Sequence, residues 1–528
     1  MNICKYLCIS IVIMMWTGNI VAQRIRIVEL TPFDSNRSSA TIIYLPSNSE
    51  SYNSLRLSSM GSGLNGIVSD GISDYFRNPA YLNMVEQRAY YLDFDNKGSS
   101  NDLRISFFSP LLNGQLGLSF SGNTSENITT NNRTDPELDL FQETVTTISS
   151  NRKASNSSYN IHLWWANNLS ENLQYGFNYI KKSSDINSSR VNASSRITTR
   201  TNIFNESTTV SSRVDSRLTD NDREVNVNTI RVGLIFGSLP GIVVDMVLKA
   251  EFNDINSDAV SNRITNNSYS YIRPNYSSTT EITNITLGVI DSKGNNSVYG
   301  MKINVKKEIN ESVIQSYFLS FDRVNFDFSE NENETDSLTT YQKRDSIFSN
   351  TNNFFLSELN SNYNITTAYV LGLGFGREIR LEKALVGIGA IAKIFKANWD
   401  DELSGSSTGL IDISNNDTTY QQSSSAELAS VNKSDLSTVL ISFPLGGEVN
   451  VSNKVSLRLG VEFNVIFSKN KITSSSGSLL SNSENRSLRN IKSFGIGYKH
   501  SEKFSADFMA IGDLAQISTW RVSIRYGL

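Results

Sequence analysis

The chain ends with Trp520-Arg521-Val522-Ser523-Ile524-Arg525-Tyr526-Gly527-Leu528, in which large apolar residues alternate with arginine, serine and glycine. A period of two gives a strand one apolar face and one polar face. In a transmembrane barrel the apolar face contacts lipid, and closure of the sheet gives every backbone polar group a partner. We therefore interpret this stretch as the strand that closes an outer-membrane barrel, with five side chains toward lipid: Trp520, Val522, Ile524, Tyr526 and Leu528.

The N-terminus has the pattern of a secretory signal peptide over residues 1–23. Lys5 precedes an apolar run from Ile9 to Trp16, and Ala22 is a small residue suited to cleavage. The alternative is an uncleaved anchor, for which the run is short. Both cysteines of the chain fall within this segment. The exported chain is thus expected to contain neither disulfides nor thiolate metal sites, and no cofactor is predicted.

The composition is compatible with a barrel. Hydrophobic residues make up 38% of the chain, and barrel strands keep this average low because only one face of each is apolar. The formal net charge of -4 argues against a nucleic-acid partner. The expected surroundings are outer-membrane lipid and, during insertion, the barrel-assembly machinery.

Amphipathic strands recur in pairs along the chain. In the stretch from Val455 to Phe467, apolar residues at odd positions alternate with Ser456, Arg458, Gly460, Glu462 and Asn464. The first set would face lipid and the second the lumen. Similar alternation follows Leu116, Tyr159, Tyr175, Met301, Tyr317, Leu371, Val386 and Phe494.

Connections between these strands alternate between short and long. The short ones, such as Ser238 to Gly241 and Val451 to Lys454, are expected on the periplasmic side. The long ones are rich in Ser, Asn and Thr, and are expected to be exposed loops or hydrophilic strand extensions outside the cell: Asn123 to Ser157, Ser183 to Arg223, Asn253 to Asn295, Ser329 to Asn362, Asp400 to Asp435 and Ser468 to Ser487. Ile282 to Ile290 is placed in such a loop or in an extension of the next strand.

The predicted fold is all-β, a transmembrane antiparallel β-barrel of about 14 to 16 strands with an N-terminal hatch-like segment and long extracellular loops. The first strand is expected near Arg88 to Asp95. The predicted organisation is a signal peptide at 1–23, a periplasmic or hatch segment at 24–86 and the barrel at 87–528. Four tryptophans near strand ends are expected to form interfacial girdles: Trp164, Trp165, Trp399 and Trp520.

A segment without alternation precedes the barrel. It has a glycine-rich stretch, acidic residues and an Asn-Pro-Ala turn followed by a hydrophobic residue, at Gly61, Gly63, Asp70, Asp74, Asn78, Pro79, Ala80 and Leu82. In these features the chain resembles the FadL-like outer-membrane transport proteins, and a related motif occurs in PorV-like barrels of type IX secretion. The resemblance implies that the segment folds into the lumen as a hatch, whose movements open a sideways route for a hydrophobic ligand. On turn chemistry alone, Asn78-Pro79-Ala80 could equally do no more than end the segment and begin the barrel.

Enzyme chemistry has few candidate residues. His162 and His500 are the only histidines, which leaves little room for an imidazole metal site or a Ser-His-acid relay. The alternation places His162 on the luminal side, and His500 falls in a short turn. We expect both to be structural residues and the protein not to be an enzyme.

Two functions remain open from the sequence. The first is passive uptake of hydrophobic or amphiphilic small molecules across the outer membrane, with luminal charges at Arg231, Lys393, Arg458 and Glu462. The second is a non-transport barrel that displays loops for adhesion or serves in a secretion or assembly complex. Each luminal charge could also be an ordinary salt-bridge partner.

Overall fold

The computed structural model describes residues 54–84, 88–96, 100–111, 114–139, 142–202, 207–239, 241–273, 276–344, 347–415, 419–511 and 520–527. The predicted signal peptide and Leu528 lie outside them. Within these ranges, two α-helices, α1 (Leu55–Met60) and α2 (Gly71–Arg77), and two 3-10 helices (Ser62–Leu64 and Pro79–Met84) precede the strands. The strands are β1 (Ala89–Asn96), β2 (Ser100–Leu111), β3 (Gly114–Asp139), β4 (Gln142–Ser170), β5 (Leu173–Asn202), β6 (Ser207–Leu239), β7 (Ile242–Arg273), β8 (Tyr276–Asn310), β9 (Val313–Arg344), β10 (Ile347–Leu381), β11 (Ala384–Asn415), β12 (Thr419–Asn450), β13 (Val455–Ser474), β14 (Leu479–Lys499), β15 (Phe504–Ile511) and β16 (Trp520–Gly527).

These sixteen strands form one closed barrel in which each strand pairs with its neighbours in sequence. The closing contact is antiparallel pairing of β16 with β1, in a register that places Tyr526 opposite Tyr90 and Val522 opposite Phe94. Because β1 and β16 pair along their length, neither terminal strand has an open edge there. The all-β barrel prediction is confirmed, with a strand number inside the predicted range.

Alternation along the strands separates a lipid face from a lumen face. On β9, Tyr317, Leu319 and Phe321 are exposed on the outside, whereas Ser316 is buried in the interior. Comparable exposed apolar residues recur around the barrel: Leu92, Ile105, Phe120, Leu163, Phe177, Val232, Leu248, Tyr299, Leu373, Ile388, Phe443, Phe463, Ile496, Phe508 and Tyr526. Such a continuous apolar belt is the surface that a barrel presents to a membrane.

In the residues that the structure describes, the six long polar segments are mostly strand extensions rather than extended loops. Strands β5 to β12 contain 30 to 35 residues each, whereas β1, β15 and β16 contain 8. A tilted strand crosses a bilayer in about 9–11 residues, so most of each long strand rises above the membrane. Of the two alternatives predicted for these segments, exposed loops or strand extensions, the structure shows the second. Ser, Asn and Thr satisfy local hydrogen bonds in loops and ladders alike, so composition alone did not separate the two. Ile282 to Ile290 belongs to such an extension, in β8.

The prediction for the tryptophans is wrong for two of the four. Trp164 and Trp399 are 1% and 2% exposed, and both belong to buried apolar clusters inside the barrel. The position of Trp164 follows the alternation, because the flanking Leu163 is on the outer face. Interior packing thus takes precedence over the interfacial preference of tryptophan at these two sites. No helix in the described part of the chain is long and apolar enough to cross a membrane.

The two ends of β13 provide a test of topology. A protease-cleavable tag at Gly477, in the turn between β13 and β14, is expected to be cut on intact cells. The same tag at Ser452, in the turn between β12 and β13, is expected to be cut only after the outer membrane is permeabilised. The opposite accessibility, measured by immunoblot, would show that the barrel is inserted the other way round.

Candidate functional site

The segment 54–84, here called the plug, lies inside the lumen. Its first helix contacts β12 to β16 and its second 3-10 helix contacts β3 to β6, so the plug meets walls on two sides. Short helices need caps, because their terminal backbone groups have no intrahelical partner. Ser54 caps α1 by accepting from Leu57 N, and Asp70 caps α2 by accepting from Ser73 N. Both capping hydrogen bonds lie within the plug and therefore do not depend on the wall.

The glycine-rich and hydrophobic positions of the predicted hatch motif lie in this plug. Gly61 ends α1 with a φ of 117°, a conformation that favours glycine. The backbone N–H of Gly63 donates to Glu462 Oε2 on β13 at 3.0 Å. Leu82 is fully buried, within a cluster that also contains Trp164.

The Asn-Pro-Ala turn is hydrogen-bonded to the barrel wall as well as within the plug. Asn78 Nδ2 donates to the carbonyl of Leu234 at 3.2 Å, while its Oδ1 accepts from Ala80 N at 3.0 Å. Two glycines on the wall make this approach possible. A Cβ at Gly176 would overlap the backbone of Pro79, and one at Gly233 would overlap the Asn78 amide.

One group of charges anchors the C-terminal half of the plug. Arg77 lies 3.1 Å from Asp74 and 3.1 Å from Asp245 on β7, and Tyr81 Oη donates to Asp245 at 2.9 Å. Asn304 on β8 also donates to Asp245 through Nδ2 at 3.3 Å. Burial raises the pKa of Asp74, while Lys306 and Arg77 act in the opposite direction. Three donors thus converge on one wall carboxylate, and two of them come from the plug.

A second group anchors α1. Arg56 Nη2 lies 2.7 Å from Glu448 on β12, and Arg56 Nη1 lies 3.3 Å from Asp70. Arg458 on β13 donates to the other oxygen of Glu448 at 3.0 Å and also pairs with Asp507. Because Glu448 accepts from both arginines, the plug is tied to a charge network of the wall itself.

All four luminal charges predicted from the sequence lie at the plug or beside it. Arg231 is 5% exposed and donates to the carbonyl of Phe76 at 3.1 Å. Glu462 accepts from the plug, Arg458 supports Glu448, and Lys393 lines a cavity between plug and wall. Further wall residues that meet the plug or the cavity were not identified from the sequence: Asp245, Lys249, Asn304, Lys306, Asp322, Glu378 and Glu448. Their luminal positions could have been read from the alternation of each strand, but their pairing could not.

The cavity next to the plug has a volume of about 200 Å³ and both charged and apolar walls. Gly66 and Arg77 of the plug form part of its boundary, and Val247, Val370 and Ile391 contribute apolar surface. Charged residues from the surrounding strands and the plug also line it: Arg77, Arg231, Asp245, Lys249, Lys302, Asp322 and Lys393.

An apolar layer follows the cavity along the lumen face. Val324 follows Asp322 by two residues on β9, and Val298 precedes Gly300 by two residues on the antiparallel β8. These two valines are 3% and 0% exposed. Since alternate residues share a face, each valine stands directly next to a cavity residue on the same strand. The complete layer is Val225, Val227, Ile255, Val298, Val324, Ala368, Ala397, Trp399 and Leu436, with Phe395 packed against it.

The histidines occupy the positions predicted for them. His162 is stacked on Trp164, with ring centroids 5.0 Å apart, and meets Phe76 of the plug edge-on. His500 is exposed in the turn before β15. Among the residues that the structure describes, no group of three or more His, Cys, Asp and Glu side chains could hold a metal ion.

Together, the closed barrel and its apolar belt decide the location of the protein. The chain is an outer-membrane β-barrel. No protein-family model and no curated protein matches it. Among solved structures it is similar to a mutant of the ferric enterobactin receptor from Pseudomonas aeruginosa in complex with enterobactin, at 10% identity and a TM-score of 0.28, over 84% of this chain and 81% of that one. The FrpB iron transporter from Neisseria meningitidis gives 7% identity and a TM-score of 0.27, over 87% and 83% of the chains. The siderophore receptor PirA from Pseudomonas aeruginosa gives 11% and 0.21, over 84% and 80%.

Similarities as loose as these carry no function to this chain. The three proteins are named as siderophore receptors or iron transporters rather than as FadL-like proteins. The narrower resemblance drawn from Asn78-Pro79-Ala80 therefore stays a proposal.

Proposed function

We propose that the protein mediates passive uptake of amphiphilic small molecules across the outer membrane, in the manner of the FadL-like proteins that its plug motif resembles. The observation that carries the proposal is the order of surfaces inside the lumen. A charged cavity borders the plug, and a layer of buried apolar side chains follows it on strands β6 to β11, which also line the cavity, and on β12. An amphiphile presents the matching order, a polar group and then an apolar chain.

A purely hydrophobic compound suits this lumen less well. To occupy the cavity it would have to displace water from charged side chains without replacing their hydrogen bonds, which is costly. The amphiphilic half of the sequence prediction is therefore the part that we retain.

Passage requires the plug to move, because plug residues form one boundary of the cavity. The plug is held by polar contacts, as at Arg56, Gly63 and Arg77, and by apolar packing, as of Leu82 with the wall residue Trp164. The polar contacts can be exchanged for water when the plug shifts, whereas the apolar packing has to separate. No energy source is needed for this step if the ligand moves down its gradient.

A disulfide lock tests the proposal. Ser493 Oγ on β14 donates to the carbonyl of Ser59 at 3.0 Å, so the plug and wall are adjacent there. The double variant Ser59→Cys/Ser493→Cys, reconstituted in liposomes, is expected to stop uptake of a fluorescent alkyl amphiphile when oxidised and to restore it when reduced. Mass spectrometry would establish the bridge, and each single cysteine variant is the control.

Two outcomes would contradict the proposal. Uptake that is equal in liposomes with and without the protein would exclude transport of the probe. Uptake that persists at the unlocked rate through fully bridged protein would exclude plug movement as the route.

Surface display or assembly is the second candidate. The tall strand extensions favour it, since they place a large Ser-, Asn- and Thr-rich surface above the membrane. Deletion of the extensions separates the two functions: display would be lost, whereas uptake through the membrane-level barrel would be retained.

A further inference from the structure

Eight residues of β6 to β9 stand in two rows of directly opposite neighbours. Residues that lie opposite each other on paired strands have their Cβ atoms about 4.5–5.5 Å apart, so each row forms a continuous strip across the four strands. The upper row, in strand order, is Asn226, Asp254, Asn295 and Asp327. The lower row, two residues nearer the membrane on each strand, is Asn228, Phe252, Ser297 and Asn325.

Both rows are on the outer face of the barrel. On β6, Asn226 lies between Val225 and Val227, which belong to the apolar layer inside the lumen. Because successive residues of a strand point to opposite faces, Asn226 and Asn228 point outward. The 45% exposure of Phe252 in the lower row agrees with this direction.

The rows begin where the apolar belt ends. One step below Phe252 is the exposed Tyr299, whose ring meets that of Phe252 edge-on at 6.2 Å. The next step down has Leu248 opposite Val232, both exposed members of the belt. Aromatic rings of this kind border the lipid-facing band of a barrel. With the strand extensions outside the cell, as predicted, the two rows lie at the level of the outer-leaflet head groups.

All eight residues line a groove of about 500 Å³. Hydrogen bonds at its border orient two of the amides: Tyr179 Oη donates to Asn228 Oδ1 at 2.9 Å, and Asn226 Nδ2 donates to Glu224 at 2.7 Å. Side chains that are already oriented lose less freedom when a ligand binds. The groove therefore offers partly ordered amide groups, two carboxylates and one aromatic ring.

We propose that this groove binds the sugar head group of a glycolipid in the outer leaflet. A sugar hydroxyl both donates and accepts hydrogen bonds, which suits asparagine amides, and it can also donate to a carboxylate. The apolar C–H face of a sugar ring can pack on the ring of Phe252. Glycolipid is the characteristic lipid of the outer leaflet of an outer membrane, and its sugars lie at the level of the two rows. The proposal is independent of transport through the lumen.

An anionic head group and a metal ion fit the groove less well. The charged side chains that line it, Asp254 and Asp327, are both carboxylates and would repel phosphate. Lys181 lies opposite Asn228 at the edge of the lower row and does not line the groove. Two carboxylates do not make a cation site here, because the described residues contain no group of three His, Cys, Asp or Glu side chains suited to a metal.

The test is native mass spectrometry of the purified full-length protein in an amine-oxide detergent, which contains no sugar. The probes are rough lipopolysaccharide, its free core oligosaccharide and phosphatidylglycerol. We expect rough lipopolysaccharide to bind at least about tenfold more tightly than phosphatidylglycerol, which has acyl chains and a phosphate but no sugar. Equal binding of these two lipids would overturn the proposal. Core oligosaccharide that binds as tightly as the whole glycolipid would overturn the membrane source and assign the groove to free sugar.

A double variant locates the binding. Asp254→Ala/Asn295→Ala removes one opposite pair at the centre of the groove and is expected to weaken lipopolysaccharide binding by about tenfold. The matched control is Asp435→Ala/Lys471→Ala, an exposed opposite pair on β12 and β13 that does not line the groove. Its height is comparable, because the adjacent Leu436 belongs to the same apolar layer. Full affinity in the groove variant, or an equal loss in the control, would place the glycolipid elsewhere.

The aromatic ring has a separate test. Phe252→Ala is expected to weaken lipopolysaccharide binding by about tenfold, whereas Phe252→Tyr keeps the ring and should bind as the wild type does. Heat-modifiable mobility on gels would show that the barrel of each variant is folded. A folded Phe252→Ala protein with wild-type affinity would show that the sugar does not pack in this groove.

Discussion

Replacing Gly176 by leucine is expected to displace the plug, so that the plugged lumen becomes an open pore while the sheet stays a closed ring. A Cβ at this position of β5 would overlap the carbonyl carbon and oxygen of Pro79 and the nitrogen of Ala80. These are backbone atoms, so no rotation of a side chain relieves the overlap. Overpacking of this kind costs about 1–3 kcal/mol while the plug stays in place. The plug is the part that can move away from β5.

Conductance in planar bilayers is the direct measurement. The wild-type protein is expected to be largely closed, and Gly176→Leu to give stable open-pore steps together with faster proteolysis of the plug. The barrel itself should persist, because the backbone ladder of β5 with β4 and β6 does not depend on this side chain.

Gly237→Leu on β6 is the matched control. No atom lies within 4 Å of a Cβ at Gly237, so a side chain there meets open space. We expect its conductance to equal that of the wild type. If Gly176→Leu is equally closed, or if Gly237→Leu is equally open, the contact of the Asn-Pro-Ala turn with this wall does not keep the lumen shut.

Most of the fold could be predicted from the alternation of apolar and polar side chains along the sequence. Because successive residues of a strand point to opposite faces, the pattern from Val455 to Phe467 already separates Arg458 and Glu462 from the lipid-facing residues. The same rule places Trp164 inside, against the expectation of an interfacial girdle. That error came from giving residue type more weight than position.

Other features could not be read from one sequence. Arg56 and Glu448 are 392 residues apart, and nothing local to either indicates the other. Likewise, the apolar layer joins single residues such as Val298 and Leu436 from separate strands, and neither stands out in its own segment. The boundary between loop and strand extension was equally open, since Ser- and Asn-rich chain can satisfy its backbone by turns or by pairing.

Asp245→Ala is expected to release the C-terminal half of the plug, with the largest loss of stability of any single change in the lumen. The substitution removes an acceptor from Arg77 and the acceptor of Tyr81 Oη, and takes one of two acceptors from Asn304 Nδ2. Breaking one partner of a buried ion pair typically costs about 3–5 kcal/mol, because the remaining charge is left uncompensated. Arg77 keeps Asp74, which places the expected loss toward the lower end of that range.

Protection of the plug against protease in the folded barrel is the measurement, compared with urea unfolding of the barrel as a whole. Asp215→Ala is the control, since Asp215 pairs with Arg263 at 2.7 Å in the exposed extension of β6 and β7. Exposed pairs contribute about 0–1 kcal/mol, so the control should leave both plug and barrel unchanged. If the plug of Asp245→Ala is protected as well as that of the wild type, its other contacts with the wall are sufficient to hold it, and the convergence of donors on Asp245 is not what keeps the lumen closed.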